Sequence, residues 1–276
     1  MDIDRDHVLA AARHERDALG RTVQYTPPDH WEAESPREEW RVKDVLAHLA
    51  ASDQVAAALL ADEEPVEVEE YRKSLDGEPF RAEEWERWSV ERRGDAAPVS
   101  LGLEWGRSAD LVLARGGKAS DPEWNEKQVP WIAGDIRVKY LVQARVSEWW
   151  VHGEDIREGA RLPPRRENWP VYLVNDLAIR LIPYSLSVSD QSRPGKVVRI
   201  ALQGVGEGVW FASTDAGRDV QDDIRPDAYL EGDGYAFASV AGGRADVDVC
   251  LYEGLLLTGG DSELAESVLR TLRSTP

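Results

Sequence analysis

The apolar residues of this chain change their period once, and that change limits the folds open to it. Up to about residue 188 they recur three and four positions apart; beyond it they fall in short β-branched runs separated by glycines. The first pattern belongs to helices that bury one stripe, the second to strands. Helices are expected over Asp4–Gly20, around Val42 to Leu59, over Ala133–Glu158 and over Trp169–Ile182, with Ala109–Ala114 as a further buried segment. Ser35-Pro36 with Glu38 has the form of a capping box and predicts a short turn leading into the second helix. Strands are expected at Val197–Leu202, Val209–Phe211, Ala228–Gly232 and Ala245–Leu251, and a last helix at Ser262–Leu272. The chain therefore reads as a helical bundle over residues 1–188 followed by a small α+β domain over 189–276. The acidic stretch from Ala61 to Gly94 is expected as an exposed arm with some helix.

Charge narrows the partners. Lys and Arg number 33 against 52 Asp and Glu, a formal charge of -19, which repels nucleic-acid backbones and anionic membranes. The single Cys250 leaves no internal disulfide, and a strand-borne, inert thiol is expected there. Met1-Asp2-Ile3-Asp4-Arg5-Asp6 is acidic where a secretory leader would be basic, and no apolar run approaches the roughly 20 residues that cross a bilayer. A soluble, cytoplasmic protein is expected, without nucleic-acid or membrane partners.

Chemistry concentrates at Arg145, Glu148, His152 and Asp155. Their spacings of three, four and three place all four on one face of a helix, where Glu148 and His152 are near enough to share a cation. Asp155 or Arg145 is placed to orient a ligand from behind. His48, in the apolar run Val45-Leu46-Ala47-His48-Leu49-Ala50, is the attractive third donor. Two imidazoles and a carboxylate form a catalytic zinc set with an open position. The same spacing also suits a surface pair or a satisfied core pair, and a lone histidine among apolar residues also suits a core. Trp149 and Trp150 diverge by about 100° on a helix, so one is expected in the core and the other at a pocket wall. His7, His14 and His30 are expected to face solvent.

The run Trp40-Arg41-Val42-Lys43-Asp44-Val45-Leu46-Ala47-His48-Leu49 resembles the first ligand motif of the mycothiol-dependent maleylpyruvate isomerase family, a branch of the DinB-like bundles. Arg145-x-x-Glu148-x-Trp150-x-His152-x-x-Asp155 resembles its second motif. Tyr229 to Asp233, Gly243 to Asp246 and Gly259 to Ala265 resemble the sterol-carrier-like domain that follows the bundle in many members. The resemblance implies a DinB-like four-helix bundle with His48, Glu148 and His152 as metal ligands, zinc as the usual metal and mycothiol as the usual thiol. It points to Asp155 and Arg244 as catalytic residues and to Arg145 and Trp150 as thiol-cofactor contacts. The activity implied is thiol addition to a small electrophilic metabolite, as a maleylpyruvate-type cis–trans isomerase or a thiol S-transferase. The non-enzymatic alternative is a metal-stabilised binding protein for an apolar ligand or a protein partner. The acidic arm departs from the family's compact pattern.

Overall fold

The computed structural model describes residues 4–131, 134–218, 220 and 224–274. Met1–Ile3 and the expected helix start at Ala133 lie outside them. The chain divides into two compact units, residues 1–165 and 166–276.

The first unit holds α1 (Arg5–Tyr25), α2 (Val42–Leu60), α3 (Val66–Ser74), α4 (Ala82–Glu91), α5 (Pro98–Lys118), α6 (Asp121–Glu126), a two-stranded ribbon of β1 (Gln128–Val129) and β2 (Ile136–Arg137), and α7 (Val138–Gly159). The long helices α1, α2, α5 and α7 pack as a bundle: α2 lies against α5 and α7, and α1 against the same two. Both α2 and α7 bury residues around most of their circumference. Such helices sit at the centre of a bundle, where polar side chains on them need partners.

The turn expected at Ser35 forms, but the reciprocal cap sits later. Ser35 Oγ accepts from the Arg37 amide at 3.2 Å, and the chain then doubles back so that the Ser35 amide meets the Trp40 carbonyl. Asp44 caps α2 instead, accepting from the Arg41 amide at 2.9 Å and from Arg41 Nε at 2.8 Å. The acidic arm is less exposed than its charge implies. Its helices α3 and α4 fold onto α2, burying Val68, Tyr71 and Trp85 against Ala51.

The second unit holds α8 (Asn168–Arg180), α9 (Ile182–Val188), β3 (Val197–Gln203), β4 (Gly208–Ser213), β5 (Ala228–Asp233), α10 (Gly234–Ala241), α11 (Val247–Tyr252), β6 (Leu256–Gly260) and α12 (Ser262–Thr271). Its sheet runs β4-β3-β5-β6, with β3 and β5 parallel and the other pairs antiparallel. The division falls before α8, earlier than residue 188, because α8 and α9 bury their apolar stripe on this sheet. Ala178, Ile179, Ile182 and Leu186 share a core with Val198, Ile200 and Leu230. The overall architecture is thus a multidomain α and α+β protein.

The expected strand at Ala245–Leu251 is corrected to the helix α11. Asp246 accepts from the Val249 amide at 2.9 Å, an N-cap that starts a helix where the alternation of Val and Asp reads as a strand. Cys250 lies buried on this helix, and burial pushes its thiol up, with Asp246 and Glu253 adding to the effect.

One glycine in this unit is required by both backbone and space. Gly206 has φ +77°, and a Cβ there would meet Val171 Cγ1 at 2.5 Å and Asn175 Nδ2 at 2.8 Å. Asn175 Nδ2 donates to the carbonyls of Gly206 and Gly234, fixing α8 to both turns. Gly206→Ala should destabilise the second unit by about 2–4 kcal/mol, strain and overpacking together, read as a fall in the denaturant midpoint.

Candidate metal centre

Two helices distant in sequence, α2 and α7, supply the polar cluster of the bundle, with His48 and Glu148 100 positions apart. On α2, the buried Val45, Leu46 and Leu49 fix the helix against its neighbours and leave His48 on the inward side. On α7, Glu148 and His152 stand one turn apart on the face that meets α2. Glu148 Oε2 lies 3.2 Å from His48 Nε2 and 3.3 Å from His152 Nε2. The two rings approach edge to face, with centroids 4.9 Å apart. Each residue presents a ligand atom within 4.8 Å of the others, and all three are buried.

Behind these atoms stand further polar groups. His152 Nδ1 meets Asp155 Oδ2 at 2.8 Å, which holds the ring with Nε2 directed at Glu148. Arg145 Nη2 lies 3.9 Å from Glu148 Oε2, but its closer bonds run to α2: Nε to Asp53 Oδ1 at 2.7 Å and Nη2 to Ser52 Oγ at 3.0 Å. Trp149 Nε1 donates to Asp53 Oδ2 at 2.7 Å. Trp40 walls the other side, its ring centroid 5.3 Å from that of His48.

Burial alone would raise the Glu148 carboxyl, but the hydrogen bonds to His152 and His48 outweigh it and hold the group well below the usual carboxylate range. Burial pulls both imidazoles down. At His48 it wins, and the ring is more easily deprotonated than usual. At His152 the bonds to Asp155 and Glu148 win, and its pKa is raised. A carboxylate oxygen and two ring nitrogens this close cannot all present lone pairs unless a proton or cation sits among them. With the His152 Nδ1–H donating to Asp155 Oδ2, the Nε2 lone pair is free for a cation. Two neutral imidazoles and one carboxylate suit zinc, and a four-coordinate ion held by three protein donors keeps one position open.

Sequence reasoning placed His48, Glu148, His152, Asp155 and Arg145 in one region, and the structure brings them together. Arg145 is fully buried, with its guanidinium engaged by Asp53 and Ser52. Trp149 and Trp150 are both buried. Arg244 belongs to the second unit, where its guanidinium donates to the Gly242 carbonyl at 2.5 Å. His30 is half-buried, its Nδ1 2.9 Å from the Ala160 carbonyl, while His7 and His14 are exposed. Sequence reasoning missed Asp53, a lone acid in the apolar run Leu49 to Leu60; its isolation was the available signal.

Residues 12–157, which contain every ligand candidate, match the family model of the mycothiol maleylpyruvate isomerase N-terminal domain. The chain belongs to this family. Two solved structures of mycothiol-dependent maleylpyruvate isomerase share its fold. A histidine-to-alanine mutant aligns with a TM-score of 0.62 at 14% identity, covering 94% of this chain and 95% of that one. A second structure aligns at 0.61 and 15% identity, covering 88% and 91%. An uncharacterized protein of Mycobacterium tuberculosis, found in two strains, is 21% identical over 217 residues, 77% of this chain and 79% of its own length. As a family member the chain is related to an isomerase that uses mycothiol. Among the described residues, no helix is long and apolar enough to cross a membrane.

Proposed function

We propose that this protein is a zinc- and mycothiol-dependent enzyme that adds the thiol to a small electrophilic metabolite, acting as a maleylpyruvate-type cis–trans isomerase or a thiol S-transferase. The observation that carries this reading is the meeting of His48 with Glu148 and His152 inside the domain that matches the family. Zinc held there supplies Lewis acidity that favours the thiolate over the thiol at neutral pH. Glu148 with neutral His48 and His152 would leave a dipositive ion a net charge of +1, which would favour an anionic thiolate or carboxylate there in an otherwise acidic protein.

The chain's own residues prepare the centre. Asp155 fixes the His152 tautomer, and Arg145, held by Asp53, faces Glu148 from behind. This arrangement supports a supporting role for Arg145 in place of direct thiol contact. Trp150 and Arg244 enter through the family resemblance, as thiol contact and catalytic arginine. In an isomerisation, the thiolate adds to one alkene carbon and the double bond becomes single. Rotation follows, and expulsion of the same thiolate restores the alkene. In a transfer, the carbon–sulfur bond is kept and the electron pair left on the neighbouring carbon takes up a proton.

Turnover of maleylpyruvate by the zinc-loaded protein should require added thiol. Undiminished turnover without thiol would contradict the reading, and zinc binding without any turnover would favour the metal-stabilised binding protein. Zinc affinity should also depend on pH with a defined sign. His48, its pKa lowered by burial, gives up its proton more readily, while His152, its pKa raised, must shed its proton before Nε2 can bind. Affinity should therefore fall about tenfold per unit as pH drops below the raised His152 pKa and level off above it. A competition titration across that range measures the slope.

A further inference from the structure

The turn that leads into α2 sets a cation on Trp40, whose ring in turn meets His48. Its backbone is pinned by the Ser35 amide to the Trp40 carbonyl at 2.9 Å and by the Trp40 amide to the Arg37 carbonyl at 3.1 Å, with Glu39 in the left-handed region at φ 65°. This brings the Arg37 guanidinium over the Trp40 ring, with Cζ 3.7 Å from the ring centroid. Trp40 also meets the His48 ring, with centroids 5.3 Å apart. A guanidinium stacked on an indole is pre-organised, and its in-plane donors stay available for a bidentate anion.

Only one nitrogen of that guanidinium is engaged. Arg37 Nη2 donates to Glu86 Oε2 of α4 at 2.6 Å, and Nε and Nη1 have no hydrogen-bond partner among the described residues. The pair is partly open, with 31% of the Arg37 side chain and 21% of Glu86 exposed. Glu86 is also near enough to His48 for its charge to act on the imidazole. In a chain of net charge -19, an incoming anion is repelled by most of the surface. Arg37, with two of its nitrogens lacking a hydrogen-bond partner among the described residues, is a fixed cation one ring removed from His48.

We propose that Arg37, laid on Trp40 beside His48, is a specificity-determining residue that recognises an anionic group on the electrophile, with Glu86 as its resident competitor. Its role depends on the His48/Glu148/His152 centre being the zinc and thiol site proposed above. A substrate with one anionic end drawn to the centre and a second carboxylate reaching Arg37 satisfies both charges. A monoanion of equal length leaves Arg37 to Glu86. The electrophiles selected are then those with two anionic groups. Glu86 sets how tightly they are held, because its carboxylate must be displaced or share the guanidinium.

The simpler reading is a latch that only ties α4 to the turn. The two readings differ in sign. A latch is loosened alike by removing either partner, whereas a recognition residue and its competitor respond in opposite directions. The experiment is calorimetric titration of the zinc-loaded full chain with succinate and glutarate, each against butyrate. The proteins are the wild type, Arg37→Gln, Arg37→Lys and Glu86→Gln, with zinc content measured for each.

The wild type should prefer the diacids to butyrate. Arg37→Gln should weaken diacid binding by about tenfold or more, the worth of a charge-assisted hydrogen bond, with butyrate affinity and zinc content unchanged. Arg37→Lys should recover part of the loss, since the charge returns without the fork. Glu86→Gln should raise the diacid preference over butyrate several-fold. A diacid preference insensitive to Arg37, or the same direction of change in Arg37→Gln and Glu86→Gln, overturns the assignment and leaves the centre intact. Failure of the wild type to retain zinc overturns the reading of the centre itself.

Discussion

His48→Ala and His152→Ala should each abolish stoichiometric zinc binding while leaving the protein folded. Three donors are the fewest that hold a catalytic zinc, so losing one leaves a two-donor site open to water. Elemental analysis after dialysis should fall from about one equivalent per chain to near none in both variants. Both rings are buried in a bundle whose other contacts remain, so helicity and cooperative unfolding should persist. Glu148→Gln is a separate test, since it keeps the shape and removes the negative charge that the two imidazoles face at 3.2 and 3.3 Å. Unchanged metal content in both histidine variants would refute the ligand assignment.

The largest loss of stability is expected from Asp53→Ala. Asp53 and Arg145 are 0% and 1% exposed, and the carboxylate takes hydrogen bonds from Arg145 Nε and Trp149 Nε1, each at 2.7 Å. Burial pushes the Asp53 carboxyl up against the pull of Arg145 and Trp149, so the intact pair adds little net stability. Removing one member is another matter, because the buried guanidinium is left with the Ser52 hydroxyl and, at 3.9 Å, a Glu148 carboxylate that two histidines already share. The expected cost is about 3–5 kcal/mol, a large share of the roughly 5–15 kcal/mol by which a domain is stable. Chemical denaturation measures it. Because this pair also ties α2 to α7 close to His48 and Glu148, zinc affinity should fall with it. Asp53→Asn keeps the shape and should lose less. A change under 1 kcal/mol for Asp53→Ala would show that water or a rearranged partner compensates Arg145.

The ligand candidates were legible because their signal is local. Glu148 and His152 lie four apart on a helix, and His48 is a polar residue in an apolar run. What joins the two helices was not legible. Asp53 and Arg145 are 92 residues apart, and neither residue's neighbours in sequence indicate the pairing. Arg145 therefore read as a group near the ligand or the thiol, while its guanidinium is engaged with α2. The same difference between local and distant information explains the second unit. The helical period of α8 was clear, but whether its stripe meets the bundle or the sheet depends on Val198, Ile200 and Leu230, which come later in the chain. At α11 two local signals compete, a Val/Asp alternation and the Asp246 cap, and the cap decides.

Zinc-edge X-ray absorption of the metal-loaded protein, with and without a low-molecular-weight thiol, tests the centre most directly. The expected spectrum shows nitrogen and oxygen donors from two imidazoles and a carboxylate, and a sulfur scatterer joins them when thiol is added. An ion with a full set of protein donors, and a spectrum that thiol leaves unchanged, would contradict a catalytic centre and identify a structural one.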